Sequence, residues 1–280
     1  MRILLPLLML WMLLLSSLTM DAAAEACRLF VTSVMPGLFP YMVLSLMLVS
    51  RFSGRPPAWL FLLLGWGGGS PTGARLLYML PARERRHRVR MAVSCATMSP
   101  MFLLGTAGEW LGSRTAGTVL LGSVLLGGYL TGWISWLVSQ DGTGESAQCH
   151  ESVRDGKVMS FGGAIDLAAR TMLLVCGTMV MLRVLSAMAS RVAPDIALLL
   201  TTFLEVTTGV QAIAALPLPL ALRTALVAGA TGFGGAAILL QNRTMYGDGF
   251  LSLPVQIGWQ TVHGGISFVL ALGVMQLLML

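Results

Sequence analysis

The chain has 280 residues, of which 56% are hydrophobic and only 11% charged. A soluble domain carries about twice that charged fraction, so the composition excludes a soluble globular enzyme and points to an all-α polytopic membrane protein. The net charge of +6 does not imply nucleic acid, because the cations cluster beside apolar segments, where they set topology and meet anionic lipid.

At about 20 residues per span, the length accommodates about seven transmembrane helices with short loops. Arg2 precedes an apolar run to Leu18, and Ala22-Ala23-Ala24 resembles a signal-peptidase site. With one charge ahead of so long a run, residues 1–21 read as a retained N-terminal transmembrane helix. A second span runs from about Ala22 to Ser50 and contains Pro36-Gly37 and Pro40, residues that kink or unwind a helix. Residues 57–80 are unusual. Their apolar parts, Ala58–Trp66 and Ala74–Leu80, each reach only about half the hydrocarbon thickness. The Gly-Gly-Gly-Ser-Pro-Thr-Gly between them is a poor helix. A re-entrant hairpin, entering and leaving on one side, fits this pattern; a single kinked spanning helix is the alternative.

The loop 81–90 carries Arg83, Arg85, Arg86, Arg88 and Arg90 against one acid, Glu84, and is expected in the cytoplasm. Arg51 and Arg55 precede the hairpin on the same side. A span over 91–112 follows, broken at Thr97–Pro100. The span 115–138 is rich in glycine, which lets helix backbones approach closely. Residues 140–160 form a polar loop. The second half repeats the order of the first. It comprises a span over 161–192, in which Asp166 and Arg170 pair at i,i+4 spacing, and a hairpin over 194–216 around Glu205-Val-Thr-Thr-Gly209. A broken span over 220–241, interrupted at Gly232–Gly235, and a last span over 250–280 complete it.

The chain therefore divides into an N-terminal helix, a first repeat (22–139), the polar loop and a second repeat (161–280). Three crossings separate the two hairpins. An odd number turns the second upside down, which makes an inverted repeat with hairpin tips meeting near the midplane. The N-terminus is then cytoplasmic and the C-terminus external. If the second hairpin is instead a full span, the repeats become parallel.

Unpaired backbone groups are not tolerated in hydrocarbon, so breaks at membrane depth must face protein or a wet cavity. The candidate binding residues lie at these breaks. Ser70, Thr72 and Gly73 present hydroxyls and free N–H groups at the start of a half-helix, suited to a polar or anionic ligand group or to a simple cap. Arg75, just beyond, receives a substrate anion or pairs with Glu205. Thr97 and Ser99 line one broken span, and Gly234 and Gln241 the other. Glu205, with Thr207 and Thr208, is the sharpest candidate, since a carboxylate at mid-membrane needs a partner or water. It either binds a coupling ion or caps its own half-helix. Gln256, Gln260 and His263 share one face of the last span, where His263 reads as a satisfied interior histidine. The cysteines, Cys27, Cys95, Cys149 and Cys176, lack metal or disulfide spacing and read as small buried hydrophobes. No zinc-protease, serine-hydrolase or phosphate-loop motif is present, so no enzyme is expected.

Five stretches carry a resemblance: Val34-Met-Pro-Gly-Leu-Phe-Pro-Tyr41, Gly69-Ser-Pro-Thr-Gly-Ala74, Ser99-Pro-Met-Phe-Leu-Leu-Gly105, Glu205-Val-Thr-Thr-Gly209 and Phe233-Gly-Gly with Gln241. In this order, over residues 22–280, they resemble the landmarks of the nucleoside-recognition (Gate-domain) membrane proteins, nearest the sporulation integral membrane protein branch. The resemblance implies a fold similar to the core of concentrative nucleoside transporters. In those, polar groups at hairpin tips and broken helices hold base, ribose and a coupling cation. The first tip here departs from that pattern, with Ser70 and Thr72 but no carboxylate or glutamine.

The expected function is an ion-coupled secondary carrier of a small polar solute, nucleoside-like molecules among them. Na⁺ or H⁺ would be the coupling ion, with no other cofactor, in a bacterial-type inner membrane. Its partners would be the bilayer, the solute and a second copy or another membrane protein. The alternative is a non-transporting assembly or partner protein in envelope or spore development, with 83–90 and 140–160 as docking surfaces.

Overall fold

The computed structural model describes residues 3–52, 57–79, 85–139, 158–246 and 250–278. These are helical, with no strand among the described residues. Five stretches are long and apolar enough to cross a membrane: Ser16–Ser50, Arg114–Val138, Phe161–Val192, Leu220–Tyr246 and Leu253–Leu278. The chain is thus an all-α, multi-pass membrane protein. Arg2, Arg55, Arg83, Glu84, Cys149, Arg154, Lys157 and most of the expected polar loop lie outside the described residues.

The N-terminal region differs from expectation. The first apolar run is interrupted at Leu15, leaving α1 (Leu4–Leu14) with 11 residues. That is about 16 Å of helix, half a hydrocarbon thickness. The chain then continues through α2 (Ser16–Leu29) and α3 (Met35–Ser50), and the prolines do not unwind it. A π-helical turn at Phe30–Val34 stands just before Pro36. Pro36 and Pro40 cannot donate a backbone bond, and the wider turn accommodates the mismatch while the helix runs on.

Segment α4 (Ala58–Met79) does not run straight. Gly69 has φ 63° and Ser70 has ψ 133°. A Cβ built on Gly65 would lie 3.7 Å from the Gly73 Cα, whereas residues eight apart on one helix are separated by about 12 Å. The chain therefore doubles back at Gly69-Ser70. The same happens between α9 (Ala197–Leu204) and α10 (Val206–Ala214). There Glu205 is extended (φ −132°, ψ 100°), and a Cβ on Gly209 would come within 2.4 Å of the Thr202 Cα.

Both expected breaks in the following helices are present. Helix α5 (Arg85–Ser94) ends before a non-helical stretch at 96–99, and a π-helical turn (Met101–Ala107) and the short α6 (Gly108–Trp110) follow. Helices α11 (Leu220–Phe233) and α12 (Gly235–Tyr246) are separated at Gly234, which is left-handed with φ 79°. The remaining long helices are α7 (Arg114–Val138), α8 (Phe161–Val192) and α13 (Leu253–Leu278).

The core has two main parts. One gathers Met42, Leu46, Phe61, Leu76 and Met172 around the first doubled-back segment. The other gathers Leu103, Leu120, Val124, Val210, Ala225 and Ala271 around the second. Small residues bring backbones together, as at Gly232, where a Cβ would meet the Gly264 Cα at 3.0 Å. Outward faces carry large apolar side chains such as Leu44, Leu63, Leu173, Leu199 and Val269, as lipid contact requires. Asp166 and Arg170 pair at 2.9 Å on an exposed face of α8, and Glu25 of α2 pairs with Arg183 of α8 at 2.6 Å. Cys95 is buried and Cys176 half-buried, but Cys27 is exposed, unlike the interior position expected for it.

Candidate binding cavity

Each doubled-back tip packs against the break in the helix that follows it. A Cβ on Gly69 would lie 2.5 Å from the Ser99 nitrogen and 2.8 Å from the Met98 carbonyl carbon. Glycine is thus required twice over here, by positive φ and by backbone contact. The Ser70 N–H donates to the Thr97 carbonyl at 2.6 Å, so the orphan donor of one break meets the orphan acceptor of the other. The second tip repeats this arrangement. A Cβ on Gly235 would meet the Phe203 and Thr202 carbonyl oxygens at 3.1 and 3.2 Å and the Val206 Cβ at 3.4 Å.

Glu205 is 1% exposed. Its Oε1 accepts the Thr207 N–H at 2.9 Å; its Oε2 accepts the Thr208 N–H and the Thr208 hydroxyl, each at 2.7 Å. It therefore caps α10, at the helix end that favours negative charge. Three short bonds to its carboxyl oxygens offset much of the cost of removing that group from water. Among the described residues, Glu205 takes its partners from α10 and not from Arg75, the second of the two roles considered for that arginine. Arg75 sits half-buried on the second arm of α4.

Both tips and both breaks converge on one cavity of about 50 Å³, lined by Ser70, Met98, Ser99, Glu205, Thr207 and Gln241 among others. That is room for a few waters or a small polar group. Val34 and Leu38 from the start of the chain, and Val175 and Met179 of α8, supply its apolar wall. Ser99 also accepts the Phe102 N–H at 3.3 Å. Gln241 donates from Nε2 to Thr178 Oγ1 at 2.7 Å, leaving its carbonyl oxygen as an acceptor.

Of the residues singled out from sequence, Ser70, Ser99, Glu205, Thr207 and Gln241 are brought together here. The other six do not line the cavity. Thr72 is fully buried in the second arm of α4, with no partner for its hydroxyl. Gly73 packs against Gly65 and Cys95. Thr97 contributes its carbonyl behind the tip, and Gly234 is the left-handed cap of α11. Thr208 serves Glu205 from behind and opens onto a separate outer groove beside Arg183 and Thr201.

Sequence reasoning passed over Asn242, whose Oδ1 accepts from the Ser70 hydroxyl and ties the first tip to α12. A neutral amide next to Gln241 at a helix end carried no signal by itself. The oxygens of Ser99, Glu205, Thr207 and Gln241 form a set suited to a hard monovalent ion or a polar solute. Among the described residues, no group of three His, Cys, Asp or Glu could hold a metal ion. No family model matches the chain, and no curated protein or solved structure was found to be similar to it.

Proposed function

We propose that this protein is a secondary carrier that binds a small polar solute in the cavity between the two tips, with Na⁺ or H⁺ coupled at or near Glu205. The observation that carries this reading is the convergence of two doubled-back tips and two interrupted helices on one cavity whose lining includes Ser70, Ser99, Glu205, Thr207 and Gln241. Irregular backbone at membrane depth is tolerated where it lines such a cavity. In this reading α4 and the α9–α10 pair are re-entrant hairpins entering from opposite faces. The two halves form an inverted repeat, the N-terminus is cytoplasmic, and the membrane is a bacterial-type inner membrane. The five resembling stretches support a place among the Gate-domain proteins and a core similar to concentrative nucleoside transporters. We read no catalytic role into the site.

The test is uptake of radiolabelled nucleosides and other small polar solutes into proteoliposomes, with an imposed Na⁺ or pH gradient and without one. Uptake above protein-free vesicles, dependent on one gradient and lost in a folded Glu205→Gln protein, is the expected result. Folded wild-type protein that moves no solute across a broad panel would overturn the reading.

A further inference from the structure

On the other side of α12 lies a second, smaller pocket, of about 20 Å³. Gln241 lines the first cavity, and its neighbour Asn242 lines this one. The polar wall is Gln256, Gln260 and His263, at positions i, i+4 and i+7 of α13 and so on one face. They are 6%, 5% and 1% exposed.

All three present an acceptor without a donor. The Gln256 Nε2 donates to the Leu251 carbonyl at 3.0 Å, which fixes the amide and leaves Oε1 bare. The His263 Nε2 lies 2.9 Å from the Val124 carbonyl. The Ala96 carbonyl also approaches the ring; with the hydrogen assigned to Nε2, Nδ1 of the neutral ring is a lone-pair acceptor. Gln256 Oε1, Gln260 Oε1 and His263 Nδ1 are buried with no hydrogen-bond partner. Buried polar atoms in native proteins are nearly always satisfied, so three in one pocket point to an occupant.

The pocket has room for about one water-sized molecule. A water has two hydrogens and would leave the third acceptor unserved. An ammonium ion, with four N–H donors, serves all of them. The rings of Trp259 and Tyr246 complete the wall and suit a cation as well. We propose that this pocket is a binding site for a water-sized, hydrogen-bond-donating monovalent cation, ammonium, held by Gln256, Gln260 and His263.

Of the titratable and charged groups on the packed elements, α5 and the turn after it carry Arg85, Arg86, His87, Arg88, Arg90 and Cys95. Helix α7 carries Arg114 and Tyr129, α11 carries Arg223, and α12 carries Arg243 and Tyr246. Only Tyr246 and His263 line the pocket. The site does not depend on the carrier reading, because its test is binding rather than uptake.

The test is thermal unfolding of the purified full chain in detergent. Ammonium chloride is titrated against sodium and choline chlorides at mildly alkaline pH. Gln256→Leu/Gln260→Leu is run beside the wild type in each salt, with Gln260→Met as the milder variant should the double one fail to fold. The expected result is a saturable rise of the midpoint with ammonium and none with sodium or choline, absent from the variant. Equal responses to all three salts, a response retained in the variant, or no response to ammonium overturns the proposal.

Discussion

The two doubled-back segments solve one problem in opposite ways. Each must leave backbone unpaired at its tip. The first tip is neutral and is held from outside. Its Ser70 N–H goes to the Thr97 carbonyl, its hydroxyl goes to Asn242, and Gly69 lies flat against the break at 98–99. The second tip carries a carboxyl group and is held from within, since Glu205 collects two N–H groups and a hydroxyl from its own helix. A tip without a carboxylate needs a neighbour to complete it; a tip with one carries its partners along. The cavity between them is lined by Ser70 of the first tip and by Glu205 and Thr207 of the second.

Three substitutions test that contrast. Gly69→Ala should be the most damaging, because the new methyl meets backbone 2.5 Å away at a φ that disfavours alanine. Strain and overpacking together suggest a loss of about 2–6 kcal/mol, read as a large fall in folded yield and unfolding midpoint. A midpoint close to wild type would mean that the tip is not packed against the break.

Glu205→Ala comes next, stranding the Thr207 and Thr208 N–H groups at a buried helix start, for about 2–3 kcal/mol. Glu205→Gln keeps an acceptor and should fall well short of that. If Ala and Gln unfold alike, the cap is not what holds the second tip.

Ser70→Ala should be mildest, costing about 1–2 kcal/mol through the unsatisfied Asn242 oxygen. A double-mutant cycle with Asn242→Ala should show coupling between the two sites. Strict additivity would show that the first tip does not depend on α12.

Much of the architecture was legible before any coordinates. Glycine, proline and carboxylate within apolar runs are costly in hydrocarbon, so the interruptions at Gly69-Ser70, Thr97–Pro100, Glu205 and Gly234 stood out. The role of Glu205 as a cap was one of two readings, and its geometry is now explicit. The N-terminal region was less legible. The apolar run from Ile3 looked continuous because a backbone excursion at Leu15 has no composition of its own. The prolines of α3 suggested unwinding, but a π-helical turn upstream accommodates them. The Gln256, Gln260 and His263 face was visible as a periodicity. That the His263 Nε2 finds a partner depends on Val124 of another helix, which no spacing along α13 encodes.

By itself the sequence determined the class of the protein, all-α and multi-pass, and most of the places where its helices stop. Both follow from local costs: water avoids apolar side chains, and lipid rejects bare peptide groups. Only the tertiary structure decided which of those stopping places meet. Helical residues turn by about 100° each, so neighbours such as Thr207 and Thr208, or Gln241 and Asn242, face different spaces once their helices are packed. For that reason Ser70, Ser99, Glu205, Thr207 and Gln241 share a cavity, while Thr72, Gly73 and Arg75, equally polar or pliant on paper, lie elsewhere.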